Sequence, residues 1–130
     1  MLVAKRTIIT GILILIAVGA AACASTGAGD RDPNLISETE IESYASLDNA
    51  HQLIQELRPR WLVEPPSRSL NQQTEIVVFQ NNAHLGGVDE LRSIPLVSIQ
   101  RIRALSSSEA GFLPGLSGVH VSRAIVVETR

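Results

Sequence analysis

A length of 130 residues leaves room for one small domain, and the single cysteine, Cys23, excludes an intramolecular disulfide and leaves no thiol elsewhere for a nucleophile or a zinc site. Hydrophobic residues make up 45% and aromatics only 3%, so the core must be built from Leu, Ile and Val, and platforms for stacking bases or sugars are excluded. The formal charge of −2 becomes 9 − 13 = −4 once Lys5 and Arg6 are set aside, with no lysine remaining, which argues against nucleic acid as a partner.

The chain starts with a short positive stretch ending at Arg6, continues through an apolar run containing Ile-Leu-Ile-Leu-Ile, and leaves it through the small residues Gly19 to Ala22. This is the three-part pattern of a secretory leader. As a membrane span it is short: Thr7 to Cys23 is 17 residues, about 26 Å of helix against a hydrocarbon core of about 30 Å. Ala20-Ala21-Ala22-Cys23 resembles the lipobox of bacterial lipoproteins, with alanine at the position where leucine is commonest. The resemblance implies a signal peptide over residues 1–22, acyl chains such as palmitate on Cys23, and a membrane lipid anchor through that residue. Ala24 after the cysteine implies, by the sorting rule of that family, the outer membrane of a diderm cell, facing the periplasm.

Residues 24–34 are rich in Ala, Ser, Gly and Asp and end in an Asp-Pro pair, with no apolar period. Together with Cys23 they are expected to form a flexible acidic tether over residues 23–40. The domain proper is then 41–130. Within it Leu47, Ala50, Leu53, Ile54 and Leu57 share one face of a helix expected over 46–57, stopped by Arg58-Pro59, with Trp61 and Leu62 as a lid on the core.

After the Pro65-Pro66 break, the run Ile76-Val77-Val78-Phe79 predicts a strand covered on both faces. Asn81-Asn82 and Gly86-Gly87 mark a connection, and Val88, Leu91 and Ile94 can share one face of a short helix closed by Pro95. Val97 and Ile99 are out of phase with Ile102 and Ala104, which predicts a helical turn near 96–99 and a strand over 101–105. Ser106 to Glu109 has capping-box spacing, residues 111–118 are punctuated as a loop, and Ile125-Val126-Val127 predicts a closing strand over 124–129.

From Glu75 onward this order of features resembles the plug domain of TonB-dependent outer-membrane receptors. The pieces are Ile76 to Phe79, Leu91 to Ile94, Val97-Ser98-Ile99-Gln100-Arg101-Ile102, the loop 111–118, and the last strand with its Thr129-Arg130 ending. Ser106-Ser107 stands where the plug has glycine-proline. The resemblance implies an α/β (α+β) fold, a small mixed sheet with short helices. It does not imply transport, because these residues hold no barrel for a plug to close.

Candidates for chemistry are few. His51, His84 and His120 are separated by 33 and 36 residues, so a metal site needs the fold to assemble it. Gly115-Leu116-Ser117-Gly118 lacks the last glycine of a nucleophile elbow, and nothing marks a cofactor. Arg101 and Arg103 alternate on one face of their strand, either as a solvated surface or as a binding surface for an acidic partner. The pattern favours a non-enzymatic envelope lipoprotein whose domain binds another envelope protein, by strand addition at an edge left open by the final strand. The alternatives are an envelope enzyme using a histidine and a structural lipoprotein linking membrane and cell wall.

Overall fold

The two uninterrupted apolar runs lie side by side in the middle of a five-stranded mixed sheet. The computed structural model describes residues 31–66 and 73–130, all within the unit Arg31–Arg130; the leader and Cys23 lie outside the described residues. In chain order the elements are β1 (Leu35–Ile36), α1 (Glu38–Ser43), α2 (Ala50–Leu57), a 3-10 turn (Pro59–Leu62), β2 (Glu75–Gln80), β3 (Ala83–Gly86), 3-10 turns at Val88–Ser93 and Leu96–Ser98, β4 (Ile99–Ser106), α3 (Ser107–Ala110) and β5 (Val121–Thr129). The strand order is β1-β4-β5-β2-β3, with β5 parallel to β2 and every other pairing antiparallel.

Alternation along the central strands sends side chains to two cores. On the first face Ile76 and Val78 of β2, Ile102 and Ala104 of β4, and Ile125 and Val127 of β5 meet Leu53 and Ile54 of α2, Trp61, Leu91 and Ile94. On the second, Val77, Phe79, Ala124 and Val126 meet only Ala110 of α3 and Leu116 of the loop behind it, with Leu105, Leu113 and Val121 packed around them. Trp61 is buried and Leu62 partly so, as a lid on the core requires.

Four expectations need correction. The tether does not run to residue 40: Leu35 and Ile36 pair with Arg103 and Ile102, and Ser37 opens α1 through a reciprocal capping box with Glu40, whose Oε2 accepts from the Ser37 backbone at 3.1 Å. Ile41 gives that helix a buried face, and Arg58 ties it to the end of α2 through Glu40 at 3.3 Å. Next, α2 starts at Ala50 and not at residue 46, because Asn49 caps it and the adjoining backbone is already engaged, Ala50 N–H donating to Ile94 O and Leu96 N–H to Asp48 O, both at 3.0 Å.

The connection after β2 contains a strand of its own. Asn81 adopts φ 55°, one of the few non-glycine residue types that tolerate it, and the two-residue turn Asn81-Asn82 sends β3 back along β2. Last, the final strand is not an edge: β5 lies between β4 and β2, and the outer positions fall to β1 and β3. The change of phase before Ile102 is absorbed inside β4, whose pairing with β5 shifts between Ile99 and Arg101, so that Ile99 and Ile102 are both buried on the first face.

Candidate binding face

The open part of the second face is built by β4 and β5 running antiparallel, with Arg101 opposite Glu128 and Arg103 opposite Val126. The sequence-predicted pair therefore does come together, on a residue that alternation alone does not single out. Arg101 donates from Nε to Glu128 Oε2, and Arg103 Nε lies 3.3 Å from Glu128 Oε1. One carboxylate, only 22% exposed, thus holds two guanidinium groups that are each about half exposed. Among the described residues only the Nε of each guanidinium meets an acceptor, so their terminal nitrogens remain as donors toward solvent.

A shallow recess of about 330 Å³ lies beside this cluster, floored by Val126 and walled by Arg103, Glu128, Gln100, Leu113 and the Asn81-Asn82 turn. The turn is fixed to the end of β5: Asn81 Nδ2 donates to Thr129 Oγ1 at 3.0 Å, and Thr129 N–H donates back to Asn81 Oδ1 at 3.1 Å. Gln100 is exposed at the irregular position of β4. The recess therefore combines an apolar floor with amide and guanidinium donors, a set suited to carboxylates and main-chain carbonyls.

A second carboxylate stands at the other end of β4. Ser106 caps α3 through a capping box in which Glu109 Oε2 accepts from the Ser106 hydroxyl at 2.7 Å and from its backbone N–H at 2.8 Å. Those bonds, the hydroxyl first, hold the Glu109 carboxyl below the usual carboxylate range, and the nearby charge of Arg103 lowers it further. The basic pair is thus flanked by acids of its own chain, and what it offers a ligand is directed hydrogen bonding more than bulk positive charge.

The histidines are distributed over separate elements. His51 is on α2, His84 on β3 with its ring 5.1 Å from that of Phe79, and the carbonyl of His120 accepts from Glu75 N–H at 3.0 Å. Among the described residues there is no group of three or more His, Cys, Asp or Glu able to share a metal ion. Ser117 lies in the loop between α3 and β5, where Gly115 and Gly118 take positive φ. Glu128 is the member of this candidate face that sequence reasoning missed. Its spacing from Val126 and Ala124 puts it on the second face, but its meeting with both arginines depends on the register of two strands distant in sequence. Set against known proteins, the chain matches no protein-family profile, no curated protein and no solved structure.

Proposed function

We propose that this chain is a membrane-anchored envelope lipoprotein, held through a lipid on Cys23 in the outer membrane and facing the periplasm, whose folded unit is a non-enzymatic binding domain for another envelope protein. The address rests on the leader and its cysteine. The binding role rests on one observation, the pair Arg101 and Arg103 fixed by Glu128 beside an open recess, with their terminal N–H groups bonded to none of the described residues. An acidic segment of a partner satisfies those donors, while Glu128 keeps them oriented before binding and so lowers the ordering cost. The likeness to a receptor plug belongs to the same reading, supported by the order of strand, turn, helical turns, strand, loop and strand.

Strand addition is redirected by the topology: β3 offers the longer outer edge, and β4 is partly covered by β1. The test is crosslinking in cells from a photoreactive residue at Gln100. Capture of an envelope protein is expected, falling at least several-fold with Arg101→Glu and Arg103→Glu together, and unchanged by alanine at His51, His84 and His120. Undiminished capture in the double variant removes this face from the proposal. For the anchor, Cys23→Ser should abolish fatty-acid labelling and release the protein from the membrane fraction; retained labelling ends the lipoprotein reading.

A further inference from the structure

The antiparallel pairing of β1 with β4 fixes which end of the sheet receives the chain from its amino-terminal side. Leu35 pairs with Arg103, and Ala104 N–H donates to Asn34 O at 2.9 Å, so the residues before Asn34 leave the sheet at the end where β4 finishes and β5 begins. The segment between those strands departs from Ser106 and returns at Val121. Residues 110–119 of that segment, Ala-Gly-Phe-Leu-Pro-Gly-Leu-Ser-Gly-Val, carry no charge. Their large side chains divide in two: Leu116 is buried in the second core, whereas Phe112 is 91% exposed and Val119 is 40% exposed.

Among the described residues Phe112 is the most exposed large hydrophobic side chain, ahead of Val97 at 82% and Val63 at 64%, and of these three it alone stands in an uncharged stretch of ten residues that also exposes Val119. From Cys23 to Arg31 the chain advances 31 − 23 = 8 residues, a reach of at most about 28 Å. An acylated Cys23 therefore keeps this end of the folded unit close to the bilayer. We propose that the uncharged segment 110–119 is a second membrane contact, with Phe112 seated in the lipid interface, so that the domain is held at two points and in one orientation. This rests on the reading of Cys23 as the lipid anchor. Its consequence for binding is direct: the recess that Leu113 of this segment walls on one side extends to Asn81, Gln100 and Thr129 at the opposite end of the sheet, the one turned to the periplasm.

The exposed Val97 supplies an internal control, because it lies just before β4 begins, at the opposite end of the sheet, and is 82% exposed. Phe112→Cys and Val97→Cys, each carrying a nitroxide, are placed in the full acylated chain in vesicles of phosphatidylethanolamine and phosphatidylglycerol. Relaxation by oxygen, which concentrates in lipid, is compared with relaxation by a water-soluble nickel chelate. The oxygen-to-nickel ratio at position 112 is expected to exceed that at position 97 severalfold. Equal ratios with fatty acid present on Cys23 by mass spectrometry overturn the membrane contact and leave the anchor standing. A label at 112 shielded from both reagents indicates a protein contact and also overturns it. A Cys23 without acyl chains overturns the anchor reading, and the second contact falls with it.

Discussion

On its first face the sheet is covered across its three middle strands: Ile76, Val78, Ile102, Ile125 and Val127 pack under α2, Trp61 and the turn that carries Leu91. On its second face a four-residue helix and a loop cover Val77, Phe79, Ala124 and Val126, and the surface then turns polar at Arg101, Arg103 and Glu128. The strands are the same, so the difference lies in what is laid over them. Covering both faces completely would maximise burial, and a chain of this size has little area to spare. Leaving half of one face open places the stability of the unit on the first face and leaves the second open to solvent, as the proposed binding role requires.

The largest test of that contrast exchanges one valine on each face for aspartate. Val78 is fully buried on the first face, and a carboxylate there has no partner. Val78→Asp should cost about 4 kcal/mol or more, enough to abolish cooperative unfolding in a domain whose total is about 5–15 kcal/mol. Val126 lies on the second face directly opposite Arg103. Val126→Asp should leave a folded, cooperatively melting protein with a loss of about 1–3 kcal/mol, since the new carboxylate gains a cation as neighbour. Urea titrations of both variants decide it, and equal losses would mean that the two faces contribute alike.

A smaller effect is expected from the polar half. Arg101 and Arg103 are about half exposed, and surface ion pairs of this kind contribute about 0–1 kcal/mol each. Arg101→Ala with Arg103→Ala should therefore shift the urea midpoint by the equivalent of no more than about 1–2 kcal/mol. A larger loss would make the cluster a structural clamp and weaken the case that it is kept for a ligand.

How far the chain discloses this arrangement varies with the range of the interaction that sets each part. β2 and β5 were legible because Ile76-Val77-Val78-Phe79 and Ile125-Val126-Val127 are local runs of strand-forming residues that only a doubly covered strand tolerates. The Ser106 capping box was legible for the same reason, its donors and acceptors lying within four residues. Ser37 to Glu40 has the same spacing, but its acidic surroundings resemble linker composition, and its helix is secured by Ile41 and Arg58, which act at a distance. β3 has four mostly exposed residues and no apolar alternation, so only its pairing with β2 makes it a strand. At the site, the common face of Arg101 and Arg103 follows from a period of two, whereas Glu128 joins them through cross-strand register that no local pattern encodes.

The smallest prediction concerns acid. Glu109 is depressed below its ordinary value of 4.5 chiefly by the Ser106 hydroxyl, then by the Ser106 backbone N–H, with Arg103 a lesser influence. A carboxyl whose folded pKa lies below its unfolded one contributes stability that is complete above the unfolded value and is lost as pH falls through the folded value. Ser106→Ala removes the largest of the three influences and leaves the backbone bond, so it should narrow this contribution without erasing it. Thermal midpoints of the two proteins, taken at half-unit steps from pH 7 to pH 3, should run parallel down to about pH 5. Below that, the native protein should fall more steeply and the gap between them should close. Among the described residues the Ser106 side chain bonds no other carboxylate, so the difference isolates Glu109. Because Arg103 acts on Glu109 in both proteins, added salt at pH 7 should screen it alike in each and leave the gap, which comes from the hydroxyl bond, largely in place. Curves that stay parallel to pH 3 would mean that the Ser106 hydroxyl does not bond the Glu109 carboxylate, leaving its acceptance from the Glu109 N–H and the packing of Ala110 and Leu116 to hold the short helix over the second face.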